Sequence, residues 1–169
     1  MRLPSGWLPE GEDFLDNTGR EFYTLKGYQL QNGGDITESM EDYLEMICRH
    51  IQENGYIRIN FLAEQLHVRP SSASKMVGKL REMDLVTFEK YGLITLTEKG
   101  LRLGRYLLWR HKVLNRFFCW LNGSENQLRQ VERVEHFMEP ETLRRLEALM
   151  EHLGVSEPAE PRDPPVSFP

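Results

Sequence analysis

The spacing of hydrophobic residues along this chain changes from that of helices to that of strands and then back to that of helices. After Thr37, apolar side chains recur at i, i+3, i+4 and i+7, which is typical of an amphipathic helix with a polar N-cap. Alternating apolar and polar residues then predict short strands, two of which are joined by a turn at 89–92. The elements predicted for this half are a helix over 38–53, a strand over 56–59, a helix over 61–67 capped by Asn60, a helix over 71–83, and strands over 85–88 and 93–96.

Helical spacing returns in the second half of the chain. Thr97 can cap a long helix over 98–121, and Ser124-Glu125-Asn126-Gln127 has the form of a capping box for a fifth helix. Glu139-Pro140 predicts the start of a sixth helix, which ends by Gly154. The long helix carries a seam with spacings of 4, 3, 4 and 3, a pattern for packing against another helix. The seam consists of Leu107, His111, Leu114, Phe118 and Leu121.

The element order predicts the fold class. A helix, a short strand, two helices and a two-stranded hairpin form the order of a winged helix-turn-helix, and only helices follow it. We therefore expect a mainly α protein with a small β-hairpin wing, in which a winged helix-turn-helix domain precedes an all-helical domain. The expected divisions are an irregular acidic arm at 1–36, the winged domain at 37–97, the helical domain at 98–154 and a disordered tail at 155–169.

Composition and charge indicate the cellular compartment and the kind of partner that the protein binds. The 169 residues include no apolar run of about 18 residues and no signal-peptide pattern, so we expect a cytoplasmic protein without membrane contact. Cys48 and Cys119 have no CxxC partner, which fits a reducing compartment and disfavours a thiolate metal site. The net charge is −5, yet residues 61–112 hold ten basic and five acidic side chains. This basic block favours a localised contact with a polyanion.

The third predicted helix lies in the basic block and is the candidate DNA-reading helix. Small hydroxyl side chains near its start allow close approach to a groove, and its lysines can contact phosphates. Basic and aromatic residues at the hairpin tip can reach the neighbouring phosphate backbone. A basic surface used for protein contact is the alternative. The residues predicted to bind DNA are Arg69, Ser71, Ser72, Ser74, Lys75, Lys79, Lys90 and Tyr91.

Three places in the chain carry candidate metal ligands. The fifth helix has two glutamates and a histidine at i, i+3 and i+4, which share one face if the whole segment is helical. The first helix has an aspartate and a glutamate on a face opposite its apolar stripe, and a histidine interrupts the seam of the long helix. Each group alone also fits a solvated acidic face or a core histidine. The six candidates are Asp42, Glu45, His111, Glu132, Glu135 and His136.

Several runs of residues resemble the metal-dependent repressor family of the diphtheria toxin repressor, and most closely its manganese transport regulator branch. The similarity covers both halves of the chain in the same order. The runs that carry it are Ser39-Met40-Glu41-Asp42-Tyr43-Leu44-Glu45, Pro70-Ser71-Ser72-Ala73-Ser74-Lys75-Met76-Val77, Glu89-Lys90-Tyr91-Gly92, Leu96-Thr97-Glu98-Lys99-Gly100, Arg110-His111 and Glu132-Arg133-Val134-Glu135-His136.

This resemblance implies a winged-helix DNA-binding domain, a helical dimerisation domain and metal bound between them. It implies that the six candidates are ligands, arranged as a two-metal cluster with a shared carboxylate that holds about two Mn²⁺ ions per chain. The iron-type branch has methionine at the position of Asp42 and cysteine at that of Glu132, so the oxygen ligands here favour Mn²⁺. Its ancillary site looks lost, because Asn115 and Leu128 stand in place of a glutamate and a histidine.

The expected function is therefore a manganese-responsive DNA-binding transcriptional regulator. It would be a homodimer on double-stranded operator DNA that represses metal uptake genes, with metal between the domains fixing a DNA-competent dimer. Alternatives are a repressor of the same family that answers Fe²⁺ or Zn²⁺, and a winged-helix regulator that answers an organic ligand. A dinuclear carboxylate oxidase is disfavoured, since such bundles supply Glu-x-x-His from each of two helices. We expect no enzymatic activity.

Overall fold

The computed structural model describes residues 36–88 and 92–158. The arm at 1–35, the wing tip with Lys90 and Tyr91, and residues 159–169 lie outside this described part. Within it, the chain forms six α-helices, three short strands and one 3-10 turn. In chain order these are α1 (Glu38–Asn54), β1 (Ile57–Arg58), α2 (Ile59–Gln65), α3 (Pro70–Glu82), β2 (Val86–Phe88), β3 (Leu93–Leu96), α4 (Glu98–Asn122), α5 (Leu128–Val134), the 3-10 turn (Glu135–Phe137) and α6 (Pro140–His152).

The first half has the predicted winged-helix order, which confirms the fold class. Its strands form an antiparallel sheet in the order β1-β3-β2, with Val86 opposite Leu96. The hydroxyl oxygens of Thr87 and Thr95 are 2.6 Å apart and join β2 to β3 by a further hydrogen bond. Helices α1, α2 and α3 pack with this sheet around a fully buried core of Leu44, Ile47, Ile57, Leu62, Leu80, Leu85 and Ile94.

Three element boundaries in this half differ from the predictions. Helix α2 begins at Ile59, because extended Arg58 is its N-cap and the Ile59 side chain packs against the core; Asn60 is therefore not the cap. The predicted strand at 56–59 is shorter, since only the two residues of β1 pair with β3. Helix α3 begins one residue early at Pro70, whose fixed φ angle suits a first helical position.

Helix α4 takes part in two cores. Leu103 and Leu107, in its first half, pack into the winged-helix core. Val113 and Leu114, further along, belong to a second core with α5 and α6. The domain boundary expected at residue 97 therefore lies before Leu103 and Leu107, which still belong to the winged-helix core. A single continuous helix connects the two parts of the protein.

Two glycines allow α4 to approach its neighbours closely. The helix starts as predicted, because the Oγ1 of Thr97 accepts a hydrogen bond from the N–H of Gly100 at 3.0 Å. A Cβ added at Gly100 would lie 1.8 Å from the carbonyl oxygen of Leu85. A Cβ added at Gly104 would lie 2.7 Å from the Cβ of Cys48 on α1. The absence of side chains at these positions sets α4 directly against α1 and the backbone before β2.

The second core extends into the segment predicted as a disordered tail. Val155 is buried against α4 and α6, and its carbonyl oxygen accepts a hydrogen bond from Arg116. Glu157 forms an ion pair with Lys112 at 2.9 Å. The expectation of disorder is therefore wrong for residues 155–157, because an apolar side chain there completes the core. The buried residues of this core are Val113, Leu114, Val131, Leu143, Met150 and Val155.

The predicted seam of α4 is buried only over part of its length. Leu107 and Leu114 are fully buried, and Phe118 packs against the second core. Leu121, however, is 57% exposed, and the neighbouring Trp120 is 41% exposed. The C-terminal end of α4 thus presents apolar side chains that the described part of the chain does not cover.

Helix α5 starts later and ends earlier than expected. The predicted capping box does not form, because the Ser124 hydroxyl bonds to the backbone of Asn126 instead. The Asn126 Oδ1 atom accepts a hydrogen bond from the N–H of Leu128, where the helix begins. The α-helix ends at Val134, and Glu135–Phe137 forms the tighter 3-10 turn. The two glutamates and the histidine of this segment therefore do not share one α-helical face.

Candidate metal centre

The six predicted ligands converge on one region between α1, α4 and α5. All of them except His136 line a cavity of about 180 Å³. They come from three separate stretches of the sequence, of which the last contains both α5 and the 3-10 turn that directly follows it. Helix α1 provides Asp42 and Glu45, α4 provides His111, α5 provides Glu132, and the 3-10 turn provides Glu135 and His136.

A first set of three residues, the inner group, consists of Glu45, His111 and Glu135. The Nδ1 atom of His111 lies 3.1 Å from Oε2 of Glu135 and 3.6 Å from Oε1 of Glu45. All three residues are buried, and each offers one ligand atom within 4.8 Å of the others. This spacing can hold one metal ion away from bulk solvent.

A second set, the outer group, consists of Asp42, Glu135 and His136. The Nε2 atom of His136 lies 3.1 Å from Oδ1 of Asp42. One ligand atom from each residue again lies within 4.8 Å of the other two. The Asp42 side chain is 41% exposed, whereas that of His136 is 9% exposed. The outer group therefore opens toward solvent on the α1 side.

Glu135 is the member that both groups share. Its side chain is 1% exposed, and it occupies the first position of the 3-10 turn. Its carboxylate lies in the interior beside His111. A carboxylate has two oxygens and about four lone-pair positions, so it can serve two cations at once.

Glu132 lies at the rim of the cavity. Its side chain is 56% exposed, and its Oε1 atom is 3.8 Å from Nδ1 of His111. It belongs to neither three-residue group. The segment is not one continuous α-helix, because α5 ends at Val134, yet Glu132 and Glu135 both face His111 across the cavity.

Two charged residues that the sequence does not mark as ligands, Glu41 and Arg110, lie beside the site. Oε2 of Glu41 lies 2.8 Å from Nδ1 of His136 and 2.9 Å from Nη2 of Arg110. The Arg110 side chain is only 3% exposed. The sequence does contain one indication that Arg110 is buried, because it follows Leu107 by three residues and precedes Leu114 by four. A charged residue on an inward helical face needs a buried partner.

Arg49 places a cation against the inner group. Its Nη2 atom lies 2.8 Å from Oε1 of Glu45, and the residue lines the same cavity. The Arg49 side chain is 48% exposed, so it has solvent to move into. A metal ion bound at Glu45 would therefore compete with this guanidinium for the carboxylate.

Burial and mutual repulsion act on the glutamates. Burial raises the pKa of Glu45 above its ordinary value, and the nearby Glu135 charge adds to the increase. Burial likewise raises the pKa of Glu132, again with a contribution from Glu135. Carboxylates crowded in this way are stabilised in their charged form by added positive charge. This is the electrostatic setting of a cation site.

The two histidines respond to their carboxylate neighbours. Hydrogen bonds to Asp42 and to Glu41 raise the pKa of His136 to about 10. Burial alone would lower the pKa of His111, but its hydrogen bond with Glu135 and the charge of Glu45 outweigh burial and raise it. His136 therefore carries a second ring proton at neutral pH when no metal ion competes for it, and the carboxylates beside His111 favour the charged form of that imidazole.

The donor set fits a divalent cation of intermediate or hard character. It consists of four carboxylates and two imidazoles, which are ligands that suit Mn²⁺ as well as Fe²⁺ and Zn²⁺. With neutral histidines, the four negative charges offset two divalent cations. Both cysteines are buried in other parts of the described structure, and neither belongs to the two groups.

Metal binding at this site is expected to tighten as the pH rises. With a pKa of about 10, His136 is protonated at neutral pH and has no lone pair for a cation. Each unit of increase in pH lowers the cost of removing this proton by about 1.4 kcal/mol, or about tenfold in affinity. Calorimetric titration with Mn²⁺ from about pH 6.5 to 8.5 measures this slope. The His136→Gln variant should have a flatter slope, and a pH-independent wild-type affinity would contradict the prediction.

The predicted DNA-binding residues that the structure describes lie on the outer face of α3 and just before it. Ala73, Val77 and Leu80 are buried on the inner face of this helix, which leaves the polar side chains directed outward. Lys90 and Tyr91 lie outside the described residues. The exposed members of the predicted set are Arg69, Ser71, Ser72, Ser74, Lys75 and Lys79.

Comparisons with known protein families cover most of the chain. Residues 35–94 match the family described as "Iron dependent repressor, N-terminal DNA binding domain". Residues 97–164 match the family described as "Iron dependent repressor, metal binding and dimerisation domain". The two matches divide the chain within residues 94–97, in the region where β3 ends and α4 begins.

Individual relatives agree with the family matches. The chain is 39% identical over 122 residues to the HTH-type transcriptional regulator MntR of Geobacillus kaustophilus, an alignment that covers 72% of this chain and 86% of the relative. The solved structure of the manganese regulator SloR is 29% identical with a TM-score of 0.60, over 69% of this chain and 55% of that chain. A manganese-dependent transcriptional repressor solved with manganese is also 29% identical with a TM-score of 0.60, over 66% and 52%. The alignment thus spans only about half of each solved chain.

The family determines the general role of the site. Its members are described as repressors with a DNA-binding and a metal-binding domain, which supports a regulatory role rather than an enzymatic one. Among the described residues, none of the helices has the length and apolar character needed to cross a membrane. The chain belongs to the iron dependent repressor family and is a metal-responsive, DNA-binding transcriptional regulator.

Proposed function

We propose that this protein is a manganese-responsive repressor of metal uptake genes that binds two Mn²⁺ ions per chain, one at each ligand group. The observation that carries the proposal is the buried Glu135, which belongs to both groups at once. An all-oxygen and nitrogen donor set supports manganese, since softer sulfur ligands would favour other metals. The two solved relatives described as manganese regulators support the same choice.

The proposed ligands divide between the two ions. Glu45 and His111 would hold the inner ion, and the rim position of Glu132 suits it to join them. Asp42 and His136 would hold the outer ion. Glu135 would contribute to both. Bound Mn²⁺ would supply the positive charge that these carboxylates lack among themselves.

Charge repulsion within the site explains how metal could control its shape. Asp42 and Glu45 on α1 face Glu132 and Glu135 at the end of α5. Arg49 and the protonated His136 offset only part of this negative charge without metal, and the remaining carboxylate charges repel each other and oppose close packing. Helix α1 is already fixed to α4 by the close approach at Gly104. The part that can respond is therefore α5 with its turn, which belongs to the second core.

A metal ion can shift this arrangement only through different affinities for its two states. In one of these states, here called closed, the carboxylates of α1 lie close to those at the end of α5. A bound cation stabilises this closed state most, because it offsets the repulsion between them. In that state, the second core has a fixed orientation relative to α3. Reading helices of a two-fold dimer must be about one turn of DNA apart, so a fixed orientation favours operator binding.

We also propose that a second copy of the chain docks on the exposed apolar end of α4. Phe117 and Trp120 lie there with ring centroids 6.2 Å apart, beside the 57% exposed Leu121. Contiguous exposed apolar side chains commonly mark protein interfaces. The matching family domain is described as a dimerisation domain, which supports a second copy as the partner.

The experiment that tests the proposed function is selection of DNA by the metal-free and metal-loaded protein. Duplexes of random sequence are incubated with chelator-treated protein, either with Mn²⁺ or with chelator, and bound DNA is sequenced. The proposal expects a two-fold symmetric sequence to be enriched only with Mn²⁺. Equal enrichment with chelator would reject metal control, and enrichment with Fe²⁺ or Zn²⁺ but not Mn²⁺ would reassign the metal.

Replacing Lys79 with Ala is expected to weaken binding to the selected duplex and reduce its salt dependence. Lys79 is exposed on α3, where a phosphate contact would release about one counterion. The slope of log affinity against log salt should fall by about 0.9. Fluorescence anisotropy titrations at several salt concentrations measure it. Arg144→Ala on α6 is the control, and an unchanged Lys79→Ala slope would place Lys79 off the interface.

A further inference from the structure

A buried chain of charged groups connects three elements beside the metal ligands. Arg110 on α4 contacts Glu41 on α1, and Glu41 contacts His136 in the 3-10 turn. The exposed fractions of the three side chains are 3%, 18% and 9%. Neither Glu41 nor Arg110 belongs to the two ligand groups. This chain of contacts needs an explanation of its own, because burying charged groups is costly unless they are paired.

The two ring nitrogens of His136 face different carboxylates. Its Nε2 atom points to Asp42 at 3.1 Å, on the side of the outer group. Its Nδ1 atom points away from that group to Glu41 at 2.8 Å. An imidazole that binds a metal through one nitrogen carries a hydrogen on the other, and a carboxylate acceptor fixes which nitrogen that is.

The guanidinium of Arg110 affects both the position and the charge of the Glu41 carboxylate. Its Nη2 atom lies 2.9 Å from Oε2 of Glu41 and 3.3 Å from Nδ1 of His136. A guanidinium only donates hydrogen bonds, so it cannot replace Glu41 as the acceptor for an Nδ1–H group. It can hold the Glu41 carboxylate in place, and it favours the ionised form that accepts from His136.

We propose that Glu41, held by Arg110, is a positioning residue that fixes His136 with Nδ1 protonated and Nε2 available to the outer metal ion. This inference rests on the proposed function of the site. It assigns Glu41 and Arg110 to the outer group specifically. In the described part of the chain, the polar contacts of the Glu41 and Arg110 side chains link them to each other and to His136, and none is seen with Glu45, His111 or Glu135 of the inner group.

The proposal predicts different effects on the two ions. Losing a carboxylate that orients a metal-binding histidine commonly weakens metal binding about 10- to 100-fold. The Glu41→Gln variant should show this loss for the outer ion, while the inner ion keeps its affinity. Mn²⁺ titration followed by EPR of the free ion resolves the two binding steps. Glu151→Gln, at an exposed position on α6, is the matched control.

A double replacement guards against misfolding from an unpaired buried arginine. The variant with Glu41→Leu and Arg110→Leu removes the whole pair, a change that is often tolerated when both charges go together. It should lose affinity for the outer ion by a similar factor. If both variants bind two ions with wild-type affinities, Glu41 has no positioning role. A wild-type protein that binds no metal would overturn both this inference and the proposed function.

Nitrogen NMR of His136 supplies a readout that a purely structural role would not change. With a diamagnetic ion such as Zn²⁺ or Cd²⁺ in the site, the wild-type ring should show a protonated Nδ1 and a metal-bound Nε2. The Glu41→Gln ring should show a mixture of the two tautomers or a weaker metal-bound signal. A wild-type ring bound through Nδ1 would overturn the proposal, because Glu41 faces that nitrogen.

Discussion

The Glu135→Gln variant is expected to lose metal-stimulated DNA binding almost completely. Glu135 is 1% exposed and is the one residue that the inner and outer groups share. Removing a buried charged partner typically costs about 3–5 kcal/mol. We therefore expect Mn²⁺ affinity to fall at least about 100-fold at both groups. Glutamine preserves the shape of the side chain, so this loss reports charge and ligation rather than a cavity.

Two other glutamates provide a graded comparison for this variant. Glu132 lies at the rim and is 56% exposed, so Glu132→Gln should weaken the inner ion and leave the outer ion nearly unchanged. Glu151 is exposed on α6, and Glu151→Gln should behave as the wild type. Operator binding measured over a range of Mn²⁺ concentrations tests all three variants. If Glu135→Gln keeps the Mn²⁺ dependence of the wild type, the shared carboxylate is not required for metal control.

The Gly100→Ala variant is expected to destabilise the fold strongly without touching a ligand. The added Cβ would lie 1.8 Å from the carbonyl oxygen of Leu85, and a backbone atom cannot move aside as a side chain can. The start of α4 and the segment before β2 must separate, which we expect to cost about 3 kcal/mol. Urea unfolding of the metal-free protein at a fixed concentration measures this difference.

Gly78 supplies the matched control for this substitution. It lies inside α3, and a Cβ added there meets no atom within 4 Å. Gly78→Ala should therefore be stabilising by up to about 1 kcal/mol, because alanine favours a helix interior over glycine. If Gly100→Ala unfolds at the wild-type urea concentration, α4 does not pack against Leu85 as described.

The winged-helix half was predictable because its signals are local. The apolar stripe of α1, Pro70 at the start of α3 and the alternating residues of the strands each specify an element within a few positions. Thr97 likewise identifies the start of α4, and the structure confirms its hydrogen bond to the N–H of Gly100. The family resemblance of these runs is confirmed by the comparisons.

Other features were not predictable because they depend on contacts between distant segments. The end of α5 at Val134 separates Glu132 from Glu135, and helical spacing alone gave no sign of this break. The pairing of Glu41 with Arg110 joins residues 69 positions apart. Val155 is ordered because it fills the second core, although its proline-rich surroundings are typical of a disordered tail.

The roles of Glu41 and Arg49 show why candidate ligands alone do not describe the site. Asp42 and Glu45 could be found from their residue types, but the groups that orient or compete with ligands are ordinary surface residues by sequence. Arg49 offsets the charge of Glu45 before any metal arrives. Such neighbours can adjust metal affinity without being ligands.

The most direct test of the central claim is the number of Mn²⁺ ions bound by the chelator-treated protein. The loss of the free-ion EPR signal during titration gives this number, with Glu135→Gln measured beside the wild type. We expect two ions per wild-type chain, one for each ligand group, and a loss of both in the variant. A single ion per chain, or two ions that persist without the Glu135 carboxylate, would contradict it.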